Sequence, residues 1–419
     1  MKTFKAILKS VGGKVWISVT AVLVAVLIAT TALATTTFRS ILTTVLGGPG
    51  VVMADGVELI YTSDYASKAE FKEAGDELNV QISEEGFTLL LNENNALPLE
   101  AAERKVSVFG KNSVNLVLGG SGSGGGSGEG ASTIYDGLEA AGISYNTALR
   151  DFYEDEGASG GGRSSNPSTD DSNSEAPTLD IGETPINRYT TALYSSFSEY
   201  SDAAIVVISR IGGESFDLPR TQNISNGGIE GNHYLQLDQN EYDMLDMVTS
   251  RFDKVIVVLN TLTSFQCDFI EEYNNIPSNP RIDAVMWIGG PGSTGAEAIG
   301  KLLTGEANFS GRTVDLYSRD FTKDPTWQNF GDNTQVNGGS NGSSFLEGTA
   351  AMTNYFVSYE EGIYVGYRYY ETRGYEESKY DANIDWYGEN VIFPFGYGLS
   401  YTTFEQTMSV SGELADGNS

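Results

Sequence analysis

Reactive side chains other than carboxylates are scarce in this sequence. One histidine, His233, and one cysteine, Cys267, occur among 419 residues. Ser-His-Asp chemistry would have to run through His233, and a two-histidine metal site is excluded. A lone cysteine forms neither an intrachain disulfide nor a cysteine-based metal site. Cys267, inside the apolar-flanked TSFQCDFI, reads as a buried, inert thiol. Acid chemistry remains. Asp and Glu number 56 against 25 Lys and Arg, a formal net charge of -31. So strong a negative field repels phosphate backbones and argues against nucleic acid as a partner, whereas neutral sugars do not feel it. Nothing calls for a metal or a cofactor.

Two segments put useful groups just past strand-like runs. In RIGGESFDLPR, Arg210 to Arg220, Glu214 stands between glycines and a turn, directly after AAIVVIS. A carboxylic acid there can be partly desolvated, which raises its pKa and suits it to protonate a leaving oxygen. The plain alternative is a solvated loop glutamate paired with Arg210 or Arg220. Among 56 acidic residues that alternative wins for any one of them taken alone. The second segment, VLGGSGSGGGSGEG from Val117 to Gly130, follows VSVFG. Its glycines let the backbone approach a ligand and its serines offer hydroxyls, although composition alone favours a flexible linker. A phosphate loop is set aside, because no Gly-Lys-Ser/Thr follows and the dinucleotide spacing is absent.

Such segments need a scaffold that presents strand ends side by side. GFTLLLN (86–92), KVSVFG (105–110), AAIVVIS (203–209), KVIVVLN (254–260) and AVMWIG (284–289) read as strands. Helices are expected at TIYDGLEAAG (133–142), NEYDMLDMVTSRF (240–252), Phe265–Tyr273 and TGAEAIGKLLTG (294–305), with a return strand at ISYNTAL (143–149). The alternation predicts an α/β fold, a mainly parallel sheet sandwiched by helices, with ligands at the carboxyl ends of its strands. Two inserts rich in Gly, Ser, Asp and Asn, 154–183 and 332–344, read as flexible excursions.

At the amino end, Lys2, Lys5, Lys9 and Lys14 precede an uncharged run from Val15 to Ala34. About 20 apolar residues suffice to cross a bilayer as a helix. Residues 1–14 are therefore expected in the cytoplasm, 15–34 as a single transmembrane anchor, and the body on the extracellular side of the cell membrane. Ala32-Leu33-Ala34 also resembles a cleavage site, so a removed signal peptide is the rival reading. A juxtamembrane segment, 35–75, with a helix near Ser67–Glu77, leads to the main domain, 76–400. Residues 401–419 offer one strand-like piece, YTTFEQTMSVSGE, as though a further domain begins there.

The blocks NENNALPL (92–99), GGSGSG, ISRIGGESFDLPR, LQLDQNEYDML (235–245), VIVVLNT, VMWIGGPGSTGAEAIGKLLTGEANFSGR (285–312), YEEGIYVGYRYYET (359–372) and FPFGYGLSYTTFE (393–405) follow one another in this order. Together they resemble the second, C-terminal domain of family 3 glycoside hydrolases, especially β-glucosidases, over roughly residues 80 to 405. The resemblance implies an α/β sandwich packed on a (β/α)8 barrel, with the active site between them. It places the family's acid/base glutamate on Glu214, with Ser215 where glycine is commoner. The loop serine that reaches the sugar falls on Ser123, or on Ser121 if the loop shifts. Arg220 matches a structural arginine, and Tyr364 and Tyr367 fall in a block on the barrel side, as interface or core residues.

In that family the nucleophilic aspartate comes from the barrel, so none is expected in this chain. An inverted order, with the sandwich first, then a fibronectin type III-like module, then the barrel, fits the anchor and the start of a β-module at 401–419. The implied activity is retaining exo-hydrolysis of terminal sugars from short glucosides, with a xylosidase-like specificity as a variant. The chain alone is expected to be inactive. A non-catalytic, membrane-anchored carbohydrate-binding or display module is the alternative.

Overall fold

The computed structural model describes residues 10–36, 63–120, 130–164, 179–214, 218–275, 281–328 and 358–403, with a few single positions beside them. The chain divides into two units, Met1–Ala66 and Ser67–Ser419. The first contains helix α1, Val11–Thr35, opened by the Ser10 hydroxyl, which accepts the Gly13 N–H. Its 25 residues have a mean hydropathy of 2.4 over the most apolar window, long and apolar enough to cross a membrane.

The second unit is built on a six-stranded sheet, in the order β1-β6-β5-β4-β2-β3. The strands are β1 (Thr88–Asn92), β2 (Lys105–Phe109), β3 (Ser144–Tyr145), β4 (Ala203–Arg210), β5 (Val255–Thr261) and β6 (Ala284–Trp287). All neighbours run parallel except β1, which pairs antiparallel with β6 at the edge. The two central strands are buried along their whole length, as expected of apolar runs covered on both faces.

Alternation along the strands sends side chains into two cores. Ile205, Val207, Ile256 and Val258 meet helices α3 (Ile134–Ala140) and α7 (Glu297–Thr304), against which α2 (Lys68–Gly86) adds Val80. On the opposite face Val206, Ile208, Val257 and Leu259 meet α4 (Thr147–Glu154), α5 (Gln239–Thr249) and α6 (Asp268–Asn274). Local sequence sets the helix ends. Capping boxes, Thr133 with Asp136 and Asp238 with Glu241, start α3 and α5, and Gly305 in a left-handed conformation ends α7. The faces of α3 and α7 meet at glycine: a Cβ on Gly300 would lie 1.9 Å from the Gly137 carbonyl oxygen.

Several sequence expectations need correction. The helix near Ser67–Glu77 runs unbroken to Gly86 and joins the sandwich: Lys301 Nζ donates to Glu84 at 2.6 Å. Only Ser144 and Tyr145 of ISYNTAL form a strand, because the Asn146 side chain accepts the Leu149 N–H and starts α4. The insert 154–183 is structured at its ends. Its start forms a short helix, Glu156–Ser159, and Leu179, Ile181 and Glu183 are buried. Its middle, 165–178, and the insert 332–344 lie outside the described residues. Past Leu399 none of the described residues is in a strand. Leu399 bridges to Leu89, and the Tyr401 hydroxyl donates to the Leu302 carbonyl, packing these residues on the sandwich.

Apart from the main sheet, β7 (Tyr317–Ser318) pairs antiparallel with β8 (Val391–Phe393). Beside them α8 (Tyr367–Tyr380) buries Tyr370 against Leu316 and Val391.

Candidate active-site edge

Four segments leaving the carboxyl ends of β2, β4, β5 and β6 converge. A Cβ on Gly120, in the glycine-rich segment after β2, would lie 3.3 Å from the Gly212 carbonyl oxygen and 3.8 Å from Leu262. A Cβ on Gly290, after β6, would lie 2.7 Å from Leu262 and 3.0 Å from the Leu118 carbonyl. A side chain at Gly290 would have to displace Leu262, and one at Gly120 would sit tightly against the Gly212 carbonyl. The base of the glycine-rich segment and the lead-in to Glu214 are thus brought together, as the strand-end reasoning predicts. Ser121 and Ser123 lie outside the described residues.

Glu214 itself is exposed. The described residues therefore leave it without the partial desolvation expected for it. The strand beneath it is held by a charge buried at its end. Arg210 is 1% exposed and forms a bidentate pair with Glu241, at 2.7 Å through Nη1 and 2.6 Å through Nη2. Its other donors reach the carbonyls of Tyr234, Ser209 and Gln236 at 2.6, 2.9 and 2.6 Å. All five guanidinium hydrogens are thereby engaged, which is what makes such deep burial of a cation tolerable. Of the two arginines considered as partners for Glu214, Arg210 is committed elsewhere. Arg220 is half-buried, donates to the Trp327 carbonyl at 2.7 Å and lies over the Trp327 ring at 5.4 Å.

A second polar knot sits under the glycine-rich segment. Asn260, fully buried on β5, accepts the Val117 N–H at 2.6 Å and the Ser209 hydroxyl at 2.9 Å. Its amide donates to the carbonyls of Val117 and Gly289 at 2.9 and 2.7 Å. One amide thus ties together the ends of β4, β5 and β6 and the segment after β2. Sequence reasoning passed over Arg210 and Asn260 as site supports. The available signal was a polar pair ending each of two otherwise apolar strands, Ser209-Arg210 on β4 and Asn260-Thr261 on β5.

The residues weighed for other chemistries are occupied structurally. His233 is buried, stacked on Phe321 at 5.8 Å. Its Nδ1 accepts the Leu235 N–H at 3.2 Å, so Nε2 carries the proton and donates to Gln266 at 3.0 Å. Burial lowers its pKa, which keeps the ring neutral. Cys267 is fully buried, and burial pushes its thiol pKa well up. Among the described residues no group of three or more His, Cys, Asp or Glu could hold a metal ion. Tyr364 is 46% exposed, while Tyr367 is half-buried and stacks on Phe395 with ring centroids 4.6 Å apart.

Comparison with known proteins extends this picture. A sequence model of the glycosyl hydrolase family 3 C-terminal domain matches residues 87–367. Over 349 residues the chain is 29% identical to β-glucosidase A of Butyrivibrio fibrisolvens, covering 78% of this chain and 35% of that protein. A β-glucosidase of Ruminococcus albus is 30% identical over 342 residues, covering 80% of this chain and 29% of the relative. Among solved structures, a β-glucosidase from Paenibacillus barengoltzii superposes with a TM-score of 0.58 and 30% identity, over 81% of this chain and 31% of the other. For β-glucosidase 3B of Thermotoga neapolitana in complex with glucose the TM-score is 0.55 and the identity 26%, over 80% and 39%. The chain spans about a third of the length of the curated relatives it matches. With more than half of its length matched by the family model, and with the matched segment folded as an α/β sandwich, the chain belongs to glycosyl hydrolase family 3 and carries that family's C-terminal domain.

Proposed function

We propose that this domain contributes the general acid/base, Glu214, to a retaining β-glucosidase that removes terminal sugars from short glucosides. The observation that carries the reading is the contact of Gly120 with Gly212 and Gly213, which sets the glycine-rich segment against the lead-in to Glu214 at the carboxyl edge of the sheet. Ser123, or Ser121, would reach the sugar from that segment. The nucleophilic aspartate and most of the first sugar subsite would come from a (β/α)8 barrel, of the same or a companion chain, closing over this edge. In a retaining enzyme the two carboxyl groups stand about 5–5.5 Å apart. An exposed Glu214 suits an acid whose desolvating wall belongs to the barrel. The exposed Tyr364 and its neighbour Tyr367 would lie on the barrel side. A fibronectin type III-like module is proposed to follow residue 400, and α1 is proposed as a membrane anchor that leaves the body outside the cytoplasm. The names of the relatives support glucosides as the substrate class.

The test is Glu214→Gln in the enzyme with its barrel. General acid catalysis contributes typically about 10²–10⁴-fold where the leaving group needs a proton. Cellobiose hydrolysis should fall by that order. Release of dinitrophenol from its glucoside should keep a fast first turnover and then stall, with azide restoring turnover. Equal losses on both substrates would remove Glu214 from the mechanism. Absence of any turnover by the wild-type enzyme with its barrel would favour a carbohydrate-binding display module.

A further inference from the structure

We propose, on the reading of Glu214 as acid/base, that Tyr234 is its positioning residue, holding both limbs of the loop that carries the carboxylate. On the outgoing limb the Tyr234 hydroxyl accepts the Ile211 N–H at 3.1 Å. On the returning limb the Tyr234 backbone N–H donates to the Pro219 carbonyl at 3.2 Å. Its own carbonyl accepts Arg210 Nε at 2.6 Å, and the Arg210 guanidinium lies 5.5 Å from its ring centroid. Arg210 is held in place, because Glu241 and the carbonyls of Ser209 and Gln236 take its remaining donors. The ring is 1% exposed and packs with Val117 and Ile211, so one side chain supports the base of the glycine-rich segment and the start of the Glu214 loop together.

The need for such a brace follows from the sequence. Between Ile211 and Glu214 stand only Gly212 and Gly213, residues with no side chains to anchor them and the widest backbone freedom. A general acid must come within about 2.6–3.2 Å of the oxygen it protonates, and misplacement by about 1 Å can cost about 100-fold. The Ile211 N–H is the donor held immediately before the two glycines, the second of which forms a β-bridge. A phenylalanine would fill the same apolar space. The hydroxyl is what fixes the outgoing limb.

Tyr234→Phe therefore separates positioning from packing. In the enzyme with its barrel, cellobiose hydrolysis should slow by about ten- to a hundredfold through kcat. The first-turnover burst with dinitrophenyl glucoside, whose leaving group needs no proton, should stay at the wild-type rate. A variant that merely lost folded enzyme would lose both by one factor. Independently of activity, hydrogen exchange at the Ile211 amide should accelerate by about tenfold, the equivalent of one ordinary hydrogen bond, with the β5 amides unchanged. Unchanged Ile211 exchange overturns the proposal. Equal losses on the two substrates by Tyr234→Phe, while Glu214→Gln discriminates between them, also overturn it. If Glu214→Gln itself fails to discriminate, the acid/base reading falls and the positioning role falls with it.

Discussion

Asn260 and Val117 are joined by a closed pair of hydrogen bonds, the Asn260 Oδ1 accepting the Val117 N–H at 2.6 Å and its Nδ2 donating to the Val117 carbonyl at 2.9 Å. The two residues are 143 positions apart in the chain. Their pairing holds the glycine-rich segment to β5 while its glycines approach the Glu214 loop.

Replacing Asn260 with alanine should therefore destabilise the domain more than the loss of one hydrogen bond. The Val117 N–H, the Ser209 hydroxyl and two carbonyls would be left buried without that partner. At about 1–3 kcal/mol for each group that stays unsatisfied, a total loss of about 3 kcal/mol or more is expected. Urea unfolding at neutral pH measures it. A loss below about 1 kcal/mol would mean that water or a shift of the loop replaces the amide.

Glu183 makes the domain's stability depend on pH. Its carboxylate is fully buried, accepts the Lys111 N–H at 3.0 Å and the Thr184 N–H at 2.8 Å, and has Glu241 and Asp238 near it. Burial raises its pKa from 4.5 to about 8. The folded state thus holds a proton that the unfolded chain releases between these two values. Its contribution is fully present below pH 4.5 and is lost as the pH rises toward about 8. The wild-type unfolding midpoint in urea should fall across that window, and Glu183→Gln should flatten the fall. Parallel curves for the two proteins would show that Glu183 ionises without resistance.

Helix α1 should keep the protein in the membrane fraction through an alkaline carbonate wash, since its 25 residues reach about 37 Å at 1.5 Å each, beyond the ~30 Å hydrocarbon core. Fractionation of expressing cells followed by sequencing of the mature amino terminus checks this. A soluble product beginning at Thr35 would identify the segment as a cleaved signal peptide instead.

How legible each element was in the sequence follows from how local its determinants are. β4 and β5 are legible because a strand covered on both faces is apolar along most of its length, and AAIVVI and VIVVL are. The starts of α3 and α5 are legible because a capping box closes within four residues. ISYNTAL misled because its apolar residues suit a strand, whereas the single side chain of Asn146 turns the backbone into α4. The 154–183 insert misled because its composition is polar, yet Leu179, Ile181 and Glu183 are drawn back into the sandwich by distant partners.

By itself the sequence determined the alternating strands and helices, the apolar amino-terminal helix, the poverty of histidine and cysteine chemistry, and the ordered motifs that place Glu214 just past a buried strand. These are properties of residue type and short-range spacing, which side-chain periodicity and capping express directly. Only the tertiary structure decided that Arg210 is committed to Glu241 rather than to Glu214, that Asn260 grips Val117, and that Tyr234 spans both limbs of the Glu214 loop. Each of these depends on which distant backbone groups are left without partners once the sheet has formed. A buried donor or acceptor takes the nearest complement that packing brings to it, and that neighbour is fixed by the topology of the whole sheet.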